Sequence, residues 1–160
     1  MGLFTKILAG GLQGPLRIIE FGSGIGNFTL PLLEVLHAQV MAIESDPLAL
    51  RCLEKNLGHR HRDQLTLHPV DLQRGKLLDP SMSDFNSALV DPPRSGLLGF
   101  VQQLNQMLTV KNLVYVSCFQ ESLMRDLKGL MLGGWRIQEL HFVDQFPRAA
   151  NLETVGLLVR

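Results

Sequence analysis

Three short segments carry residues whose types and spacing could do chemistry. The first is Glu20-Phe21-Gly22-Ser23-Gly24-Ile25-Gly26-Asn27-Phe28, which follows an apolar run and precedes helical periodicity. Glycines there permit a tight turn and let a ligand approach the backbone, while the following helix offers free N–H groups. The spacing is G-x-G-x-G, not the G-x-G-x-x-G that suits a dinucleotide phosphate. The second segment is Asp91-Pro92-Pro93-Arg94-Ser95-Gly96, and the third is Val116-Ser117-Cys118. Each of these two closes an apolar run of strand character. Cys118 also lies just before a helix start, where the helix dipole favours an anion. It is therefore read as reactive. Cys52, beside Leu53 inside a helical pattern, is expected to be the ordinary buried and inert kind.

Acidic residues recur where a ligand would need them. Glu20 can accept a bond from a cationic amino group. Glu44 comes eighteen residues after Gly26, at the end of the next apolar run, where a carboxylate can take both ribose hydroxyls. Asp71, at the end of the third, is placed to receive an adenine amino group. A ligand with an ammonium group, a ribose and an adenine but no pyrophosphate is S-adenosylmethionine. Gly22, Gly24, Gly26 and Phe28 complete that cofactor set. Nothing in the spacing of Cys or His suggests a metal site.

The elements that must position these groups alternate between short apolar runs and helical periodicity, as in an α/β domain with a mainly parallel sheet. Strands are expected at 17–21, 39–44, 65–70, 87–91, 113–117, 135–143 and 153–159. Asp46-Pro47 supplies a helix start and Gly58 its stop. Between Ser122 and Leu132, the residues Leu123, Met124, Leu127, Leu130 and Met131 are expected on one buried helical face. The stretch from Asp71 to Asp84 is rich in Gly, Pro and Ser and reads as a loop or a single turn. Residues 1–16 read as an N-terminal helix and linker, with Leu3, Phe4, Ile7 and Leu8 as the helix's apolar face, and 17–160 as the catalytic domain. Seven strands, the last reversed in a closing hairpin, match a class I S-adenosylmethionine-dependent methyltransferase, Rossmann-like in its architecture. In such open sheets the ligand crevice lies outside the carboxyl ends of the strands, so all three segments face one opening.

At these residues the chain resembles the RNA 5-methyluridine (uracil-C5) methyltransferases that act on tRNA and rRNA, over about residues 17–160. The resemblance rests on Gly26-Asn27-Phe28, on Glu44 with Asn56, on DPPRSG at 91–96 and on YVSC at 115–118. VDQFP at 143–147 and LETV at 152–155 extend it. It implies Cys118 as nucleophile toward C6 of a uracil and Glu153 as the base that removes the C5 proton. It also implies Asp91 as a group that bonds the uracil or steadies the nucleophile, and Arg94 as a substrate-binding residue at a phosphate or in the loop. The target base would leave its stack to react.

The chain departs from that family at several positions. Phe119-Gln120 stand where Asn-Pro usually follows the cysteine, and Asn151 replaces a histidine. Glu20 replaces the usual Asp, and Gly22-Ser23 replace Tyr-Cys. The family's upstream phenylalanine/glutamine/asparagine motif and RNA-binding domains have no counterpart in the sixteen residues before the first strand. An excised domain or a shortened relative is the expectation.

Fifteen basic residues balance fifteen acidic ones, and 46% of the 160 residues are hydrophobic, so this is globular sequence without the basic excess of a self-sufficient nucleic-acid binder. RNA recognition is expected to need a further RNA-binding domain or partner. The densest basic run, His59-Arg60-His61-Arg62, reads more readily as a solvated loop than as an RNA contact. No apolar run reaches membrane-spanning length and no signal-peptide pattern opens the chain, so a cytoplasmic setting is expected. Two other functions fit parts of the sequence: a degenerate domain that binds cofactor or partner without turnover, and a methyltransferase with a small-molecule or protein acceptor. The retained pair Cys118 and Glu153 speaks against the first, and the DPPR loop with the YVSC strand end against the second.

Overall fold

The computed structural model describes residues 15–71, 80–144 and 152–160. Seven strands form one sheet: β1 (Arg17–Phe21), β2 (Gln39–Glu44), β3 (Leu65–Pro69), β4 (Ser87–Val90), β5 (Asn112–Ser117), β6 (Arg136–Val143) and β7 (Glu153–Val159). Their order is β3-β2-β1-β4-β5-β7-β6. The first five are mutually parallel, and β7 runs antiparallel to both β5 and β6. The reversed final strand expected from the sequence is therefore inserted between β5 and β6.

Strands β1, β2, β4 and β5 read as near-continuous apolar runs because helices cover both faces of the sheet. Ile19, Phe21, Met41, Ile43, Ala88, Val90, Leu113 and Tyr115 point to one side. There they pack on α3 (Phe100–Gln106) and α4 (Gln120–Leu132). Ile18, Val40, Ala42, Leu89, Val114 and Val116 point to the other side, against α1 (Thr29–Glu34) and α2 (Pro47–Leu57). The alternation of Cβ direction along a strand divides the core in this way.

Local chemistry sets the ends of α2 as its sequence implies. Asp46 accepts the Leu48 N–H at 2.8 Å, Pro47 opens the helix, and Gly58 closes it at φ 62°. The 71–84 stretch contains a 3₁₀ turn at Pro80–Asp84, and residues 72–79 fall outside the described residues. The helix expected at 2–9 falls outside them as well.

Two expectations are corrected. Cys52 is exposed, not buried. Leu50, Leu53 and Leu57 form the buried stripe of α2, and residue 52 is turned about 100° away from 53 around the helix axis. On α4, Met124 and Met131 face solvent, whereas Ser122, Leu123, Asp126, Leu127 and Leu130 are buried. The buried stripe is rotated because Asp126 has hydrogen-bond partners inside, which the apolar pattern does not reveal.

Candidate active site

The carboxyl ends of β1, β2, β3 and β4 open into a cavity of about 540 Å³. That is a volume ordinary for a small-molecule site. Gly22, Glu44, Asp71 and Asp91 line it, with Pro92, Pro93, Gly96 and Leu97 from the loop after β4. Seven of the expected site residues stand outside the cavity lining: Glu20, Gly24, Gly26, Phe28, Arg94, Cys118 and Glu153.

The glycine turn is held by its neighbours. The N–H groups of Gly22 and Ser23 both donate to the Ile43 carbonyl, at 2.8 and 3.1 Å. Gly26 has φ 98°, and a Cβ there would run into the Leu53 side chain, so the turn and α2 can approach only with glycine at this position. Phe28 packs against the core on the α1–α2 side and supports the turn from behind. Glu44 is half-buried and binds the turn directly. Its Oε2 accepts from Gly24 N–H at 3.0 Å, and its Oε1 from the N–H groups of Ser45 and Asp46 at 2.7 and 2.9 Å. Asn56 joins in, donating to the Ile25 carbonyl at 3.2 Å. The acid expected to hold a ligand thus also fixes the turn that would cradle it.

Glu20 is almost completely buried, with Oε2 accepting from the Thr29 hydroxyl at 2.5 Å and Oε1 without a partner. Burial raises its pKa to about 8, an effect to which the nearby Asp91 carboxylate adds and which the Thr29 hydroxyl offsets in part. A buried carboxylate oxygen with no donor is costly. A hydrogen-bond donor is the partner it lacks, and the ammonium end of an amino-acid-like cofactor would fit that need.

The residues expected to react, Asp91, Cys118 and Glu153, lie at the ends of β4, β5 and β7, the candidate reaction side. Asp91 follows β4, and its pKa rises to about 6, first through burial and then through repulsion from Glu153. Asp91 is nevertheless exposed to solvent in part of its surface, at the open side of the site. Burial raises the pKa of Glu153 as well. The β5–β7 ladder ends with Ser117 facing Thr154, the residues that adjoin Cys118 and Glu153 in the chain. Cys118 is half-buried and carries a free thiol.

The two residues that depart from the family pattern after the cysteine both have partners. The Arg94 guanidinium lies over the Phe119 ring, 6.0 Å from its centre. The Gln120 side-chain amide donates to the Leu152 carbonyl at 2.8 Å, tying the start of α4 to the residue before Glu153. Sequence reasoning gave neither residue a role. It also overlooked Asp126, whose buried carboxylate has no signal in a helical pattern.

The basic run 59–62 lies before β3, at the amino ends of the strands. A second cavity there, about 380 Å³, is lined in part by Arg60 and Arg62. It is at the opposite end of the sheet from the reaction side. Among the described residues no group of three His, Cys, Asp or Glu is arranged to hold a metal ion. None of the helices there is long and apolar enough to cross a membrane.

A family model for tRNA (uracil-5-)-methyltransferases matches residues 9–160. The chain belongs to this family. An uncharacterized RNA methyltransferase of Bdellovibrio bacteriovorus is 41% identical over 153 residues, covering 90% of this chain and 39% of the relative. A 23S rRNA (uracil(1939)-C(5))-methyltransferase of Shewanella baltica is 35% identical over 141 residues, covering 88% and 31%. The chain thus spans between 31% and 39% of the length of these two relatives. The crystal structure of the Pyrococcus abyssi tRNA (uracil-54, C5)-methyltransferase with S-adenosyl-L-homocysteine superposes with a TM-score of 0.76 at 26% identity. It covers 98% of this chain and 37% of that one. The fold is that of the class I S-adenosylmethionine-dependent methyltransferases.

Proposed function

We propose that this domain transfers a methyl group from S-adenosylmethionine to C5 of a uridine in tRNA or rRNA through a covalent cysteine adduct. The observation that supports the reading is the ladder register that pairs Ser117 with Thr154, the chain neighbours of Cys118 and Glu153, with Asp91 on the cavity wall close enough to Glu153 to feel its charge. Bound S-adenosylmethionine would supply an electrophilic methyl group. Glu44 would take its ribose hydroxyls, Asp71 its adenine amino group and Glu20 its ammonium. The Gly22–Gly26 turn and Phe28 would shape the floor beneath it.

Uracil C5 is too weak a nucleophile to attack a methyl sulfonium unaided. The Cys118 thiolate adds to C6, forming a C–S bond and moving the ring electrons into an enolate whose C5 is reactive. Once C5 carries the methyl group, Glu153 removes the C5 proton. The enolate that results expels the thiolate and restores the C5–C6 double bond. A carboxylate whose pKa is raised by burial is better matched to that proton than an exposed one. Asp91, its pKa raised by burial and by Glu153, would bond the uracil edge or steady the nucleophile. Arg94 would meet a phosphate, with the Phe119 ring behind it.

Equal numbers of acidic and basic residues leave little general attraction for RNA. Recognition would then reside largely in a further RNA-binding domain or partner, in the cytoplasm. The test is RNA carrying 5-fluorouridine. Fluorine at C5 is not removed as a proton, so the methylated adduct stays attached to the protein. A slower band on a denaturing gel is expected, requiring both S-adenosylmethionine and Cys118. Methylation of uridine C5 by a Cys118→Ala variant would overturn the mechanism.

A further inference from the structure

Besides Glu20, Asp126 is the one fully buried carboxylate among the described residues, and the proposed chemistry leaves it unused. It sits on α4, outside the cavity lining, and is 2% exposed. Oδ2 accepts two bonds, from the Leu97 N–H at 2.6 Å and from the Tyr115 hydroxyl at 2.7 Å. Oδ1 accepts from Nε and Nη2 of the adjacent Arg125, at 3.1 and 3.0 Å. Arg125 Nη2 also donates to the Ser95 carbonyl at 2.6 Å. One carboxylate and its neighbouring guanidinium therefore grip the loop after β4 at Ser95 and again at Leu97. Tyr115 ties the same carboxylate to β5. Burial and the Asp126 bond push the Tyr115 hydroxyl pKa far up, so its proton stays on as the donor.

Between the two grips lies Gly96, with φ 74°. A Cβ there would collide with Asp126 Oδ2, Arg125 and Ser122, so the loop passes too close to α4 for any other residue. Pro92, Pro93, Gly96 and Leu97 of this loop form one wall of the 540 Å³ cavity. Asp91 and Arg94 ride on the same loop.

We propose that Asp126, with Tyr115 and Arg125, is a positioning residue that sets this wall and thereby controls cofactor affinity from outside the cavity. Burying the Asp126 carboxylate costs desolvation that its pairing offsets, and an apolar side chain would pack as well on a helix whose sole task was stability. What the carboxylate adds is direction. It fixes the Leu97 N–H and, through Arg125, the Ser95 carbonyl, so the loop cannot slide along α4. The inference rests on the S-adenosylmethionine part of the proposed function and is independent of the uridine chemistry.

The experiment is calorimetric titration of the full chain with S-adenosylhomocysteine, beside thermal unfolding and amide exchange at Leu97. Tyr115→Phe removes one bond and leaves the ring in place. Asp126→Asn keeps the size and removes the charge, and Arg125→Met frees the Ser95 carbonyl. Val110→Ala, a small cavity at the amino end of β5, serves as a control that lowers stability away from the loop. Tyr115→Phe is expected to weaken binding about fivefold, the loss of one net hydrogen bond, and Asp126→Asn more than tenfold, about the value of a charge-assisted one. Faster exchange at Leu97 should accompany both. Val110→Ala should lower the melting temperature and leave the affinity within twofold. If the three clasp variants bind like the wild type while melting earlier, Asp126 is merely structural and the proposal falls. Should Asp126→Asn fail to fold, Tyr115→Phe decides alone. Absence of binding by the folded wild type would remove the cofactor reading, and this inference with it.

Discussion

Ser117 on β5 faces Thr154 on β7 across an antiparallel ladder that ends at the reaction side of the sheet. The reversal of β7 matters here. A parallel strand would begin at the far end of the sheet and carry Glu153 away from the carboxyl ends of β4 and β5. Running antiparallel, β7 begins at that same end, and its second residue, Thr154, pairs with Ser117, the residue before Cys118. Ser117 and Thr154, thirty-seven positions apart in the chain, become partners through strand direction.

That adjacency makes Glu153→Gln informative. Glutamine keeps the shape and loses the base, so addition to C6 and methyl transfer should survive while release fails. With ordinary uridine RNA and S-adenosylmethionine, the variant should accumulate a covalent adduct that the wild type does not. Denaturing gels and intact mass measure it. Turnover at wild-type rate without an adduct would remove Glu153 from the role of base.

The Gln120 amide on the Leu152 carbonyl holds the start of α4 to the residue before β7, between the proposed nucleophile and the proposed base. Gln120→Ala should weaken that registration by about 1 kcal/mol, the net value of a neutral hydrogen bond. A fall in kcat of about fivefold with KM nearly unchanged is expected. An effect confined to KM would show that Gln120 acts on RNA binding instead.

Much of this was legible in the sequence, for physical reasons specific to each element. Leu89 and Val114 belong to strands buried on both faces, so their apolar runs stand out, and Asp46-Pro47 with Gly58 are local chemistry that needs no tertiary context. The three chemical segments follow strands, and an open α/β sheet gathers such segments at one end. What the pattern hid was polar burial. Asp126 is twenty-nine residues from Leu97 and eleven from Tyr115, so nothing local marks it as an inward residue. Cys52 shows the converse: type alone suggested burial, and the helix phase set by Leu50, Leu53 and Leu57 turned it outward.

Glu44 joins the glycine turn to the proposed ribose site. Glu44→Ala should weaken S-adenosylhomocysteine binding by about 1.5–3 kcal/mol, the scale of charge-assisted hydrogen bonds. Because Gly24 N–H loses its acceptor too, its amide exchange should quicken in the absence of ligand. Unchanged affinity in calorimetry would move the ribose away from β2.

Fifteen positive and fifteen negative side chains predict weak RNA binding by this chain alone, with a shallow salt dependence from few phosphate contacts. Filter binding across a salt series measures the slope. Tight binding with a steep slope would place recognition within these residues.

Glu20 gives a pH dependence whose sign can be worked out. Its pKa is about 8 in the folded chain against an ordinary 4.5, so folding favours the protonated form. The stability this contributes is full below about pH 4.5 and is lost as pH rises through about 8. Each pH unit between the two values is worth about 1.4 kcal/mol, so even half of that interval would cost the folded state about 2 kcal/mol. Glu20→Gln cannot ionise, and its melting temperature should fall less than the wild type's between pH 5 and pH 9. Saturating S-adenosylhomocysteine should recover part of the wild-type loss, because its ammonium would give the buried carboxylate the partner that Oε1 lacks. The variant should show no such pH-dependent recovery. Parallel melting curves for the two proteins across this range, with and without ligand, would mean that the Glu20 carboxylate is neither held neutral by its burial nor met by the cofactor's amino group.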